Sequence, residues 1–154
     1  MTTPAITALA RHPLMAGVTD AQRAVIAECA HTMVFPGGTR LYAEGQPARH
    51  FFLILAGAIA LQTGAPNHAP VTFQTVEAGD FVGVSWLAPP YRVSFDAHAI
   101  TTTETLAFDA DCLRAKCDAD PALGYALMQR FMPALVERLT SARLQALNLY
   151  GDLL

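Results

Sequence analysis

The chain has 154 residues, 53% of them hydrophobic and 15% charged, with a net charge of −3. That is the length of one domain with ample apolar content for a single core, and its scattered Lys and Arg residues form no basic stripe of the kind that direct DNA binding needs. No apolar run approaches the roughly 18–20 residues of a membrane span and the N-terminus lacks the regions of a signal peptide, so a cytoplasmic protein without membrane contact is expected.

Thr19-Asp20 is a pair suited to N-capping, and Ala21, Gln22, Arg23, Ala24, Ile26, Ala27 and Glu28 are mostly good helix formers, which predicts a short helix over 19–31. From Thr32 onward short extended runs alternate with turn residues: Pro36-Gly37-Gly38, Gly45-Gln46-Pro47, Gly57, and the stretch 64–70. The nearly all-apolar run 50–61 reads as two strands that turn into each other at Gly57 and are buried on both faces. Further strands are predicted at 71–76, 94–99 and 104–108, with a turn at Glu77-Ala78-Gly79-Asp80. A short helix over 109–118 follows.

Asp120-Pro121 is a good helix start, and the pattern stays helical to about Tyr150. Met128, Met132, Leu135, Leu139, Ala142, Ala146 and Leu149 fall at alternating spacings of four and three, a heptad seam suited to packing helix on helix. Leu123, Leu127, Phe131, Leu144 and Leu147 lie largely outside that seam. Two apolar faces predict two contacts, one with the chain's own strands and one with a second copy. A helix of roughly 28 residues is about 42 Å long, more than such a domain is wide, and Pro133 is the expected bend. The predicted fold is therefore mainly β with flanking helices: a double-stranded β-roll of the jelly-roll or cupin-like kind plus a long C-terminal helix. It forms a single domain over 1–154, with helix and roll at 13–120 and the long helix at 121–150.

This order of elements, with Pro36, Gly38, Glu44-Gly45 and Gly57 in the first hairpins and the segment 77–109 after them, resembles the cyclic-nucleotide-binding domains of the Crp/Fnr superfamily and of kinase regulatory subunits. In that family a helix N-terminus and an arginine hold the cyclic phosphate, and a glutamate beside the cassette glycine holds the ribose hydroxyl. The resemblance puts Gly83 at the glycine and Val84 at the glutamate, followed by Ser85 and Trp86. Counting back from Asp109 puts Val93 at the arginine position, with Arg92 one residue early, and Ser94 fits a hydroxyl that contacts the phosphate. The Pro89-Pro90-Tyr91 loop could absorb the offset. The expected effector site is thus Gly83, Val84, Ser85, Trp86, Arg92, Val93 and Ser94. Three occupancies stay open: cAMP or cGMP, another anionic or small effector, or a degenerate pocket filled by Trp86 and Tyr91.

No enzyme is expected. His12, His31, His50, His68 and His98 are isolated, with no His-x-His pair to hold a metal on facing strands. Cys29, Cys112 and Cys117 read as reduced thiols. With the sequence ending a few residues after Tyr150, no helix-turn-helix is expected. The functional expectation is a stand-alone sensor that binds a small effector, dimerises through the seam and signals to another protein. The alternative is a structural or adaptor roll that has lost its ligand.

Overall fold

Burial on both faces of one strand organises the molecule. The computed structural model describes residues 2–65 and 67–153. The chain runs through α1 (Thr2–Arg11), a 3-10 turn at Pro13–Met15, α2 (Asp20–Ala27), β1 (Ala30–Phe35), β2 (Arg40–Tyr42), β3 (His50–Ala56), β4 (Ala58–Ala65) and β5 (His68–Glu77). It continues with β6 (Phe81–Val82), a second 3-10 turn at Val84–Leu87, β7 (Asp96–Ala99), β8 (Thr103–Asp109), α3 (Ala110–Ala119) and α4 (Pro121–Leu153). Two four-stranded antiparallel sheets, ordered β1-β8-β3-β6 and β2-β7-β4-β5, form the expected roll.

β3 carries Phe51, Phe52, Leu53 and Ile54, all buried. Side chains alternate along a strand, so Phe51 and Leu53 join the core shared with the helices while Phe52 and Ile54 fill the interior of the roll. The predicted hairpin at Gly57 is corrected: β3 and β4 belong to different sheets, and Gly57 carries the chain from one to the other. Its φ of 98° and the carbonyl of Thr102, 2.5 Å from where a Cβ would stand, require glycine.

α2 begins as expected, with Thr19 and Gln22 in a reciprocal capping box. It stops at Ala27 and not at 31, because residues from Ala30 on pair with β8. α1 and β6 have no counterpart among the predicted elements. Ala5 and Leu9, one turn apart on α1, bury into the helical layer. A second correction concerns the thiols: Cys29, just after α2, and Cys112 on α3 are joined in a disulfide, since β1–β8 pairing brings 29 beside the start of α3. Cys117 is free, and burial with Asp118 and Asp120 nearby pushes its thiol up, towards the unreactive protonated form.

α3 is capped by the Asp109 side chain, which accepts from the Cys112 N–H at 2.8 Å. α4 is a single helix of 33 residues with Pro133 inside it, about 50 Å long. Leu123, Leu127 and Phe131, four apart, are buried on its roll-facing side. The Phe131 ring lies 4.9 Å from that of Phe51 and 5.4 Å from that of Phe81, centroid to centroid. Arg130 adds a hydrogen bond from Nε to the Leu14 carbonyl at 3.1 Å.

His12 ties the helical layer to β3. Its Nε2 lies 3.2 Å from the Ile54 carbonyl, and its Nδ1 accepts from the Leu14 N–H. Both bonds suit the neutral ring, and burial pushes its pKa below the ordinary 6.5. The unfolded chain therefore takes up a proton first, and stability falls as pH drops below about 6.5 towards the lowered folded value. Denaturant midpoints followed from neutral pH downward should show this step, and His12→Gln should reduce it to the share of His50, whose pKa is lowered in the same sense by burial. Phe131→Ala removes the aromatic anchor of α4 and should cost about 3–5 kcal/mol in a urea unfolding experiment.

Candidate functional site

Between the roll and the second half of α4 lies a cavity of about 480 Å³. Its floor is built by Tyr42 of β2, Leu61 of β4 and Phe73 and Gln74 of β5. One side comes from Gly83, Val84 and Ser85, another from Val93, Ser94 and Phe95, and α4 closes it with Leu135, Arg138, Leu139, Ser141, Ala142 and Gln145. Gly83 starts the 3-10 turn with φ 93°, and a Cβ there would stand 2.8 Å from the His50 carbonyl, so both backbone conformation and β3 demand glycine.

The segment before β7 is fixed by backbone bonds. Gly45 N–H donates to the Val93 carbonyl at 2.8 Å, Val93 N–H to the Gln46 carbonyl at 2.9 Å, and Ala48 N–H to the Tyr91 carbonyl at 2.8 Å. This register turns Val93 inward, with Ala97 and Ala99 on the same buried phase. Arg92 points out, and its Nη1 donates to the Gly45 carbonyl at 2.8 Å.

Of the seven expected effector residues, Gly83, Val84, Ser85, Val93 and Ser94 therefore share one cavity, while Arg92 and Trp86 lie apart from it. Arg92 lines a separate, more polar depression of about 420 Å³ with Arg49, His50, Tyr91, Asp109 and Arg114. There the Arg114 guanidinium sits 4.2 Å over the Tyr91 ring and donates to the Trp86 carbonyl. Trp86 is fully buried against Phe51. Tyr91 lines the polar depression instead of filling the cavity. Asp96 accepts from the Glu44 N–H at 2.7 Å, outside the cavity lining.

The groups that hold α4 over the cavity are Arg138 and Gln145. Arg138 Nη2 donates to Asp80 Oδ1 at 2.7 Å and to the Phe81 carbonyl at 2.6 Å, with its guanidinium 4.3 Å over the Phe81 ring. Gln145 Nε2 donates to the Phe73 carbonyl at 3.1 Å. Arg138 had a signal in the sequence, seven residues after Phe131 on the buried stripe. Tyr42 had none. Its hydroxyl is buried with no hydrogen-bond partner among the described residues. Burial holds the phenol above the usual tyrosine range, with the positive charge of Arg138 working against that.

The predicted seam divides on the structure. Met132 and Leu139 are exposed, at 45% and 58%. Leu135, Leu139 and Ala142 line the cavity. Met128 is half-buried and Ala146 exposed, and the side chain of Leu149 lies outside the described residues. Tyr125, Val136 and Leu147 are exposed beside Met132 and Leu139, so the outward stripe sits slightly around the helix from the expected one. Gly83→Ala should destabilise the protein by roughly 1–3 kcal/mol through backbone conformation alone, with the clash against His50 adding to it, as thermal denaturation would register.

Residues 32–120, more than half of the chain, match the family described as cyclic nucleotide-binding domain. A CRP-like cAMP-activated global transcriptional regulator of Mycobacterium tuberculosis is 24% identical over 121 residues, 79% of this chain and 54% of that protein. The chain thus spans about half the length of the curated relatives it matches. A Geobacter metallireducens protein described as cyclic nucleotide-binding superposes with a TM-score of 0.77 at 27% identity, covering 90% of this chain and 99% of that one. The regulatory subunit of a cAMP-independent protein kinase A from Trypanosoma cruzi, bound to guanosine, superposes at 0.63 with 18% identity, over 80% of this chain and 48% of that one.

Proposed function

The chain belongs to the cyclic nucleotide-binding domain family, and on that premise we propose that it is an effector-sensing regulatory domain, without catalytic activity, whose effector occupies the cavity under α4. The observation that carries this reading is the double position of residues 135–142. Leu135, Leu139 and Ala142 wall the cavity, while Met132, Val136 and Leu139 on the same turns are exposed on the outside. A ligand that shifts this stretch changes the surface offered to a partner, which is the element a sensor needs. The cavity is of the size and mainly apolar character of small-molecule sites.

The outward stripe supports a homodimer through α4, with a second protein as the output. Its alternation of apolar residues suits a two-helix contact. A cytoplasmic setting belongs to the same proposal, and there the Cys29–Cys112 disulfide of the structure would be exposed to a reducing environment. A second reading, an adaptor roll without a ligand, draws support from Val84 and Val93 at the places where the family resemblance puts a glutamate and an arginine.

Thermal shift with cAMP, cGMP and a panel of uncharged metabolites separates the two readings. Binding in the cavity should raise the unfolding midpoint, and Ala142→Trp, which fills it, should abolish the rise. A panel that moves nothing favours the adaptor. For the dimer, Val136→Glu buries like charges across the axis and should convert a sedimenting dimer into a monomer whose roll remains folded. A wild-type monomer at tens of micromolar would return the stripe to the solvent.

A further inference from the structure

The lining of the cavity limits the chemistry of what it can hold. Among the described lining residues Arg138 carries the positive charge, and its Nη2 is committed to the Asp80 carboxylate and the Phe81 carbonyl. An anion entering here would compete with a carboxylate already in place. The other arginines of this end of the roll, Arg49, Arg92 and Arg114, open onto the separate polar depression. Where a cyclic phosphate and a ribose would need ionic partners, the wall is Val84 and Val93. Leu61, Phe73, Phe95 and Leu135 make most of the remaining surface apolar; of the polar neutral residues, Gln74 and Ser85 are half-buried, and Ser94, Ser141 and Gln145 are exposed and keep their access to water.

Against this apolar wall stands one fully buried polar group without a partner among the described residues. Tyr42 is 8% exposed, and its hydroxyl makes no hydrogen bond among the described residues. Leaving such a group unpaired is unfavourable, and the protein has not removed it by using phenylalanine. Tyr42 lines the same cavity as Arg138 of α4, and that arginine is the charge acting on its phenol. The raised pKa keeps its proton in place, so it can donate.

We propose that this cavity takes an uncharged, largely apolar molecule carrying a hydrogen-bond acceptor, and that the Tyr42 hydroxyl donates to that acceptor. The proposal rests on the reading of the cavity as an effector site. The hydroxyl is buried, so the acceptor reaches it as the side chains around it give way, and α4 is one of the elements that wall this cavity. Recognition and displacement of α4 are then one event.

Nile red, a flat neutral dye with a carbonyl acceptor, is the probe. Its fluorescence should rise saturably with the wild-type protein, Ala142→Trp should abolish the rise, and millimolar cAMP or cGMP should leave it unchanged. Tyr42→Phe should weaken the dye by about three- to tenfold, the effect of one hydrogen bond. Because the lost hydroxyl has no partner among the described residues, the same variant should melt no lower than wild type, which separates a binding role from a structural one. Unchanged dye affinity in Tyr42→Phe would overturn the role of that hydroxyl. Displacement by a cyclic nucleotide would overturn the uncharged class and leave the cavity as the effector site. Dye binding that persists in Ala142→Trp, or no binding of dye or nucleotide, would overturn both the class and the site.

Discussion

Phe51 and Phe52 point to opposite sides of β3, and neither side meets water. Phe51, with Leu53, belongs to the helical layer, and Phe52, with Ile54, to the inside of the roll. The helices are thus half of a shared core and not an attachment to a finished β domain. The Phe51 ring touches those of Phe81, Trp86, Phe108 and Phe131, which draws β6, the 3-10 turn after Gly83, β8 and α4 to a single aromatic contact. Each such pair adds roughly 0.5–1.5 kcal/mol beyond its burial. The position of the cavity follows from this contact, because the turn and the helix that wall it are both seated there.

Asp80 extends that arrangement to the far half of α4. It lies at the end of the turn after β5, where Oδ1 accepts from the Phe81 N–H at 2.8 Å and also from Arg138. Phe81 in turn offers its carbonyl and its ring face to the same guanidinium. One short segment of roll therefore grips α4 by an ion pair, a hydrogen bond and a cation–π contact. With side chains 15% and 34% exposed, the ion pair is partly shielded from water, and it acts more as a positioning clamp than as a large source of stability. Beyond Arg138 the described side chains of α4 are exposed from Leu139 to Asn148.

Much of this was legible in the sequence, and the failures have physical causes. The run 50–61 announced a strand buried on both faces because two cores leave no room for polar alternation. The separate stripe of Leu123, Leu127 and Phe131 announced that α4 has an inner face. The outer face was misplaced because a straight helix turns every 3.6 residues and drifts about 20° per heptad against a 3.5 repeat. Leu135 and Ala142, seven and fourteen residues after Met128, have turned towards the cavity, and Val136 takes the outward place. Arg92 was unreadable for another reason. Its direction depends on the backbone bonds of 45–48 with 91–93, a pairing across more than forty residues. The Cys29–Cys112 bond needed the β1–β8 register first, and the Tyr42 hydroxyl becomes notable only when the described residues around it are known to offer it no hydrogen bond.

That bond between Cys29 and Cys112 spans 83 residues, and every strand of the roll lies between its two ends. The chain is therefore topologically a closed ring of strands with two open tails, α1 and α2 on one side and the rest of α3 with α4 on the other. A mechanical load applied between those tails, such as a partner pulling on α4 while α1 is held, would pass from α2 to α3 through one covalent link and largely bypass the strand pairings inside the ring. With the link reduced, the same load would run through the β1–β8 pairing and on into the sheet.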